Sequence, residues 1–417
     1  MTPLTNQLPV TTQHIGPAGT NRLFAAGSHA TLADHERTFG PLPTQGIGVS
    51  FIDVLEQSGL TGRGGAAFAS WRKVAATGQS RRGILLQGRP VVIANGAEGE
   101  PLSFKDKTLL LHAPHLVLDG LLVAARAVSA SSLYIYTTSA AMPAMEAAIA
   151  ERHEVRRIQV IEAPETFISG QASAVVNAIG GGKALPMDPR RRLSESGLKG
   201  RPTLVLNVET LAHMALIARY GAQWFRSAGS DRDPGTRLVS VTGWGAEQVL
   251  EIEGDAGLGS VLAHAGVDFK AVQAVLVGGY HGRWVKSLDY RLTPSGSAEQ
   301  TVRPGAGVLH VLSAGQCGLE VTAWIVEYLA GQSAKQCGPC MFGLPAMAKV
   351  LATFSRGDQD PQLIGELERL GNLVASRGAC HHPDGTLQLI HSALEVFSED
   401  IGAHLTGKCT RLNGSTA

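Results

Sequence analysis

Apolar residues along this chain recur at helical spacing in some stretches and form short unbroken runs in others, and through the first half the two kinds alternate. Ser50 to Gln57 sets Phe51, Ile52, Val54 and Leu55 on one helical face, and Val91-Val92-Ile93-Ala94 reads as a buried strand. His115 to Val128 predicts an apolar helix, Ser132 to Thr137 a strand, Met142 to His153 an amphipathic helix and Arg157 to Glu162 another strand. A further run, Leu204-Val205-Leu206, leads into an apolar helix ending near Tyr220-Gly221. Alternation of this kind predicts a doubly wound α/β sheet.

From Thr236 the pattern changes. Leu238 to Gly243, Val249 to Ile252, Ala274 to Gly279 and Val308 to Leu312 are short strand runs around one predicted helix, Leu258 to His264, which suggests a β-grasp unit. Leu319 to His404 reads as helical, with Val321, Ile325, Val326 and Leu329 on one face and Met347, Val350 and Leu351 on another. The opening residues scatter Thr, Pro, Gly and His without a period and predict an extended arm lying on the body or a poorly ordered tail, with no chemistry assigned to it. The expected organisation is an arm at 1–45, an α/β domain at 46–234, a β-grasp domain at 235–312 and a helical domain at 313–417.

Composition excludes several roles. A chain of 417 residues can bury more than one core, and 36 Lys and Arg against 35 Asp and Glu, with no basic patch, argue against nucleic acid. No run of about eighteen uninterrupted apolar residues exists, so no membrane span is expected, and without a basic start followed by an apolar run export is not expected. Five cysteines, an odd number, do not suggest a disulfide framework and predict reduced thiols in the cytoplasm.

Three stretches carry chemistry. Gly59-Leu60-Thr61-Gly62-Arg63-Gly64-Gly65-Ala66-Ala67-Phe68, closed by Lys73, has the glycines to bring bare N–H groups to a phosphate and two cations to neutralise it. Asn95-Gly96-Ala97-Glu98-Gly99-Glu100-Pro101-Leu102-Ser103-Phe104-Lys105-Asp106 follows the buried strand, where ligands bind in α/β sheets. Cys337-Gly338-Pro339-Cys340, with Cys380 later, offers soft thiolates to iron–sulfur or zinc, although a CxxC also serves as a redox dithiol.

Together these stretches resemble the flavin-bearing, NADH-oxidising subunit family of respiratory complex I, with its relatives in soluble hydrogenases and formate dehydrogenases, and the likeness runs along nearly the whole chain. The resemblance implies a Rossmann-like FMN-binding domain, a β-grasp domain of the SLBB kind and a C-terminal helical iron–sulfur domain. Gly62, Arg63, Gly64, Gly65, Lys73, Asn95, Gly170, Asn207 and Thr210 would hold FMN, and Phe68, Glu98 and Glu100 would face NAD(P)H. Cys337, Cys340 and Cys380 would hold a cluster. Its electrons would pass to a ferredoxin or another iron–sulfur protein of a hetero-oligomer, cytoplasmic or peripheral to a membrane complex.

The likeness has gaps. Ala334 stands where the family has the first cluster cysteine, leaving three thiolates where 4Fe–4S clusters usually take four. The options are a 4Fe–4S cluster with His381, His382 or Asp384 as fourth ligand, a 3Fe–4S cluster, or none. Cys317 reads as a buried structural thiol, and Cys409 as incidental unless a folded-back tail supplies the missing ligand. Near the nicotinamide, Ala97, Gln171 and Ala172 replace carboxylates, and Arg190-Arg191-Arg192 replaces an aromatic segment. That exchange either favours a 2′-phosphate, and so NADPH, or weakens dinucleotide binding until a partner protein feeds the flavin. A competing expectation is a scaffold protein that keeps the fold without turnover.

Overall fold

The computed structural model describes residues 11–12, 21–43, 45–83, 88–187, 191–245, 247–294 and 300–409. A two-residue strand, β1 (Thr11–Thr12), joins a later sheet. The first sheet consists of four parallel strands, β2 (Val91–Gly96), β3 (Ser132–Thr137), β4 (Gln159–Glu162) and β5 (Thr203–Asn207), in the order β4-β3-β2-β5. The unbroken apolar run of β2 is explained by cover on both faces. Val92 and Ala94 join the core formed with helices α2 (Phe51–Ser58), α5 (Pro114–Val128), α6 (Met142–Ala150) and α8 (Val208–Arg226), while Val91 and Ile93 pack with Val175 and Val176 of α7 (Ala172–Ile179). Helices α5 and α8 approach so closely that a Cβ at Gly120 would lie 1.9 Å from the Leu211 carbonyl oxygen, a position only glycine fills.

The predicted extended arm is corrected where the structure describes it. Leu32–Phe39 is a helix, α1, opened by a capping box between Thr31 and Asp34. Leu23, Phe24 and Phe39 enter the α/β core, and His35 Nε2 lies 2.8 Å from the Asp119 carboxylate, which Arg152 and Arg219 also engage. Apart from Thr11 and Thr12, the first twenty residues of that arm lie outside the described residues.

The second sheet has the order β1-β7-β6-β12-β8-β9, with β6 at Thr236–Thr242, β7 at Gln248–Glu253, β8 at Val272–Val277, β9 at Arg283–Val285 and β12 at Val308–Ser313. β12 sits in its centre, parallel to β6 and antiparallel to β8. Helix α9 (Leu258–His264) covers one face, and two short strands, β10 (Arg291–Leu292) and β11 (Thr301–Val302), pair beside it. Five α-helices follow: α10 (Gly318–Gly331), α11 (Leu344–Ser355), α12 (Gln362–Val374), α13 (His382–Val396) and α14 (Ser398–His404), with a π-helical turn at Pro339–Gly343 leading into α11. Their core takes in Tyr280 and Trp284 from the preceding sheet, and Trp284 Nε1 donates to Thr322 Oγ1 at 3.0 Å. Among the described residues no single helix is long and apolar enough to cross a membrane. The pair Lys105–His112 and Pro114–Val128 passes on length and composition together, but it is bent by 98° and α5 lies within the core.

Candidate functional site

β3 and β4 lie on one side of β2 and β5 on the other, so the strand order reverses between β2 and β5. The crevice beyond the carboxyl ends at such a reversal is where α/β sheets bind ligands. Asn95 and Asn207 stand there as paired residues in register. Asn95 Nδ2 donates to the Gly170 carbonyl at 2.8 Å, and Asn207 Nδ2 donates to the Asp106 carboxylate at 2.6 Å. Asn207 Oδ1 accepts the Glu209 N–H and so caps α8. Asp106 closes the predicted segment that follows β2, although the sequence assigns it no role of its own. It opens helix α4 (Lys105–His112) beside Lys105, whose ammonium reaches Asp106 at 2.6 Å and Glu209 at 2.9 Å. Burial opposes charge on Lys105, but these carboxylates outweigh it and hold the ammonium above its usual range.

The glycine loop leans against this strand end. A Cβ at Gly64 would meet the Asn207 Cβ at 3.2 Å, and Gly65 has φ +104°. Gly62 N–H donates to the Phe68 carbonyl and Thr61 bridges Ala69, which closes the loop, while Arg63 N–H donates to Thr210 Oγ1 at 2.9 Å. The expectation that Arg63 lends its charge to a phosphate is corrected. Its side chain is 1% exposed and its guanidinium donates to Asp233 and to the carbonyls of Pro234 and Thr236, so it fastens the loop to the start of β6. The loop backbone at Gly64 and Gly65 and the Lys73 ammonium remain for an anion. Lys73 lies on helix α3 (Ser70–Gly83), and desolvation lowers its pKa.

A cavity of about 570 Å³ opens here, lined among others by Phe68, Arg72, Lys73, Ala172, Arg192 and Val205. Its volume falls within the common range of about 300–1,000 Å³ for ligand sites. The structure thus brings two of the sequence-predicted positions, Phe68 and Lys73, into one space with two of the divergent ones. Phe68 is 47% exposed, its ring free to stack. Arg191 is exposed and Arg190 lies outside the described residues. Gln171 turns its Oε1 to the N–H groups of Ser173 and Ala174, capping α7.

Both carboxylates expected to face a donor are engaged elsewhere. Glu98 accepts from Ser103 Oγ and from the N–H groups of Asp106 and Lys107, so it caps α4. Glu100 Oε2 accepts the Tyr280 N–H at 2.8 Å and its Oε1 is buried without a partner, which ties the first sheet to the loop after β8. Burial pushes the Glu100 carboxyl up to about 8, against the N–H groups of Tyr280 and Leu102 and with added repulsion from Glu98. The folded state therefore keeps this proton to higher pH than the unfolded chain does. The stability it contributes is complete below the ordinary carboxyl range and is lost as pH rises toward 8. Glu100→Gln is expected to flatten the fall in urea-unfolding free energy between pH 5 and 8 by on the order of a few kcal/mol. Parallel wild-type and variant curves over that interval would refute this role.

Phe167, Tyr280, His281, Tyr328 and His382 form an aromatic wall between this loop and the cysteine-bearing helices. His382 faces His281 at 3.1 Å through Nδ1 and the Leu329 carbonyl at 2.8 Å through Nε2, so both nitrogens are taken and the expectation of His382 as a cluster ligand is corrected. His381 is exposed, and Asp384 Oδ1 accepts the Ser376 N–H. Beside this wall the thiols of Cys337, Cys340 and Cys380 collect backbone N–H groups. Cys337 receives those of Ala379 and Cys340, Cys340 that of Ala334, and Cys380 that of His382. Burial opposes ionisation at Cys337, but these donors and the Cys340 thiol bring it below the ordinary range. Convergent N–H donors suit sulfur that carries negative charge, which a thiolate-held cluster requires. Ala334, at the missing fourth position, contributes its backbone to the same thiol group.

The Nuo51 FMN-binding domain family matches residues 55–216, and the NADH-ubiquinone oxidoreductase-F iron–sulfur binding region matches residues 320–404. The chain is 29% identical over 382 residues to the NADH-quinone oxidoreductase F 2 protein of Rhizobium meliloti, covering 85% of this chain and 88% of the relative. It is 27% identical over 384 residues to the F-type NADH-quinone oxidoreductase protein of Escherichia coli, with 84% and 83% covered. Its fold is similar to that of a chain of an NAD+-reducing NiFe hydrogenase in the H2-reduced state, with a TM-score of 0.77 at 24% identity. That match covers 85% of this chain and 62% of the hydrogenase chain, so this chain spans less than two-thirds of that chain's length.

Proposed function

We propose that this chain, a homologue of the F-type proteins of NADH-quinone oxidoreductase with their FMN-binding domain and iron–sulfur region, oxidises NAD(P)H and passes the electrons outward through its cysteine site. The observation that carries the reading is the glycine loop seated on paired asparagines at the reversal of strand order, beside a cavity that Lys73 and Phe68 line. Bound FMN would supply the conversion of a hydride's electron pair into single electrons. Gly64 and Gly65 bring backbone to its phosphate, and Lys73 adds charge. Asn95, Asn207, Gly170 and Thr210 fix the strand ends that the ring system would meet. Phe68 offers a face to the dinucleotide. Arg63, Glu98 and Glu100 are positioning residues that keep loop, helix and neighbouring sheet in register.

Cys337, Cys340 and Cys380 would hold the cluster, with His381 or Asp384 as candidate fourth ligand. The homologues belong to larger complexes, and we assign this chain an iron–sulfur partner docked near the thiols. Exposed Met341 and Phe342, directly after Cys340, give that partner apolar contact. An anaerobic absorption spectrum tests the reading. Flavin bands with an iron–sulfur shoulder, bleached on adding NADH or NADPH, are expected. Colourless protein would instead identify a scaffold.

Arg192 on the cavity wall and the missing carboxylates at Ala97 and Ala172 favour acceptance of a 2′-phosphate. Arg192→Glu should lower the kcat/KM ratio of NADPH to NADH by on the order of tenfold, about 1.4 kcal/mol. An unchanged ratio would place the arginine outside nucleotide recognition.

A further inference from the structure

Cys317, His404 and Cys409 place one ligand atom each within 4.8 Å of one another. We propose that they form a separate zinc site, formed when the C-terminal segment folds back on α10. Two of the three residues lie outside the matched iron–sulfur region at 320–404, and none is among the thiols assigned to the cluster. Cys317 Sγ and His404 Nε2 are 3.5 Å apart. Zinc–sulfur and zinc–nitrogen bonds of about 2.3 and 2.0 Å at a tetrahedral angle set those atoms about 3.5 Å apart. The pair is therefore spaced for a single ion without rearrangement.

Each ligand is held by its surroundings. Cys317 precedes α10; burial and the neighbouring Cys409 push its thiol up to about 12, against the N–H groups of Glu320 and Leu319, which orient the sulfur, so an incoming ion must displace its proton. His404 is 4% exposed, with the Phe354 ring centroid 5.9 Å from its own. Cys409 arrives through a turn with Schellman bonding: Lys408 N–H donates to the Ala403 carbonyl and Gly407 N–H to the His404 carbonyl. Gly407 takes φ +70° there, a conformation that glycine enters without strain. The turn directs the next residue but one, Cys409, onto Cys317, with which its thiol interacts. Two thiolates and an imidazole are a soft set that selects zinc, and water completes the tetrahedron. Binding releases the two thiol protons, so the ion carries no net redox change.

Zinc and iron measured by elemental analysis on reduced full-length protein, after exposure to zinc sulfate and dialysis, test the site. Wild type should retain close to one zinc per chain, and Cys409→Ala should lose it with iron and flavin content unchanged. Gly407→Val, which strains the turn but keeps every ligand, should weaken zinc retention at least tenfold in a competition titration with a chromophoric chelator. Wild type that takes up no zinc beyond its iron, or Cys409→Ala that retains it, overturns the proposal. Because iron and flavin are read in the same samples, loss of the cluster or of FMN is seen separately from failure of the zinc site.

Discussion

Cys337→Ser is expected to remove most of the iron while leaving flavin bound, and to lower electron transfer to one-electron acceptors by on the order of a hundredfold or more. The size of the effect follows from an unusually thin ligand set. With Ala334 where a cysteine would stand, only three thiolates would hold the cluster, and losing one would leave two. Cys337 also receives two backbone N–H groups, so its sulfur is the best prepared of the three to carry charge. Reduction of flavin by nucleotide should persist, since the glycine loop and cavity are built from other residues. Iron content and flavin bleaching in the same sample decide the matter, and a variant that keeps wild-type iron would show that Cys337 is not a ligand. The converse change, Ala334→Cys, should raise iron retention if the N–H beside Cys340 marks the fourth corner.

Gly64→Val should cost about a hundredfold in FMN affinity, roughly 2.7 kcal/mol. The glycine has no Cβ, and even a methyl group would press on Asn207 at 3.2 Å. A β-branched side chain must push the loop off the strand end or displace Asn207, and Asn207 is fixed by Asp106 and by its capping bond to Glu209. Either shift moves the N–H groups from where a phosphate would sit. Flavin released on gel filtration, read by fluorescence, measures the loss, with the iron content serving as the internal control for folding. Retention equal to wild type would mean that the loop does not form the cradle.

Local features of this fold are legible in the sequence, and distant partnerships are not. β3 falls on the predicted Ser132 to Thr137, and α9 on Leu258 to His264, because apolar period and strand length are written within a few residues. Arg63 misleads because its partner Asp233 lies 170 residues on, and a cation beside glycines looks like a phosphate ligand until that carboxylate is known. Glu98 looks free because α4, the helix it caps, breaks the apolar pattern with Lys105, Asp106 and Lys107. The capping of α1 is legible in principle, since Thr31 and Asp34 have capping-box spacing, yet no apolar period stands behind it. The grouping of Cys317 with His404 spans 87 residues and rests on a turn at Gly407, so spacing alone has no means of indicating it.

The central seat of β12 bears on how the chain reaches this structure. Until Val308–Ser313 arrives, β6 and β8 have no partner between them and the second sheet exists as two halves, each with an open edge. Closing it joins Ser240 to Val308 in parallel register, a long loop to close before any pairing rewards it. The sheet is therefore expected to be the slow step of folding, and a nascent chain ending before this strand offers two edges on which other chains can template. Because Glu100 and Arg63 both bind to this sheet or the segments leading into it, the glycine loop and the strand end beside it acquire their final shape only after that late strand has closed.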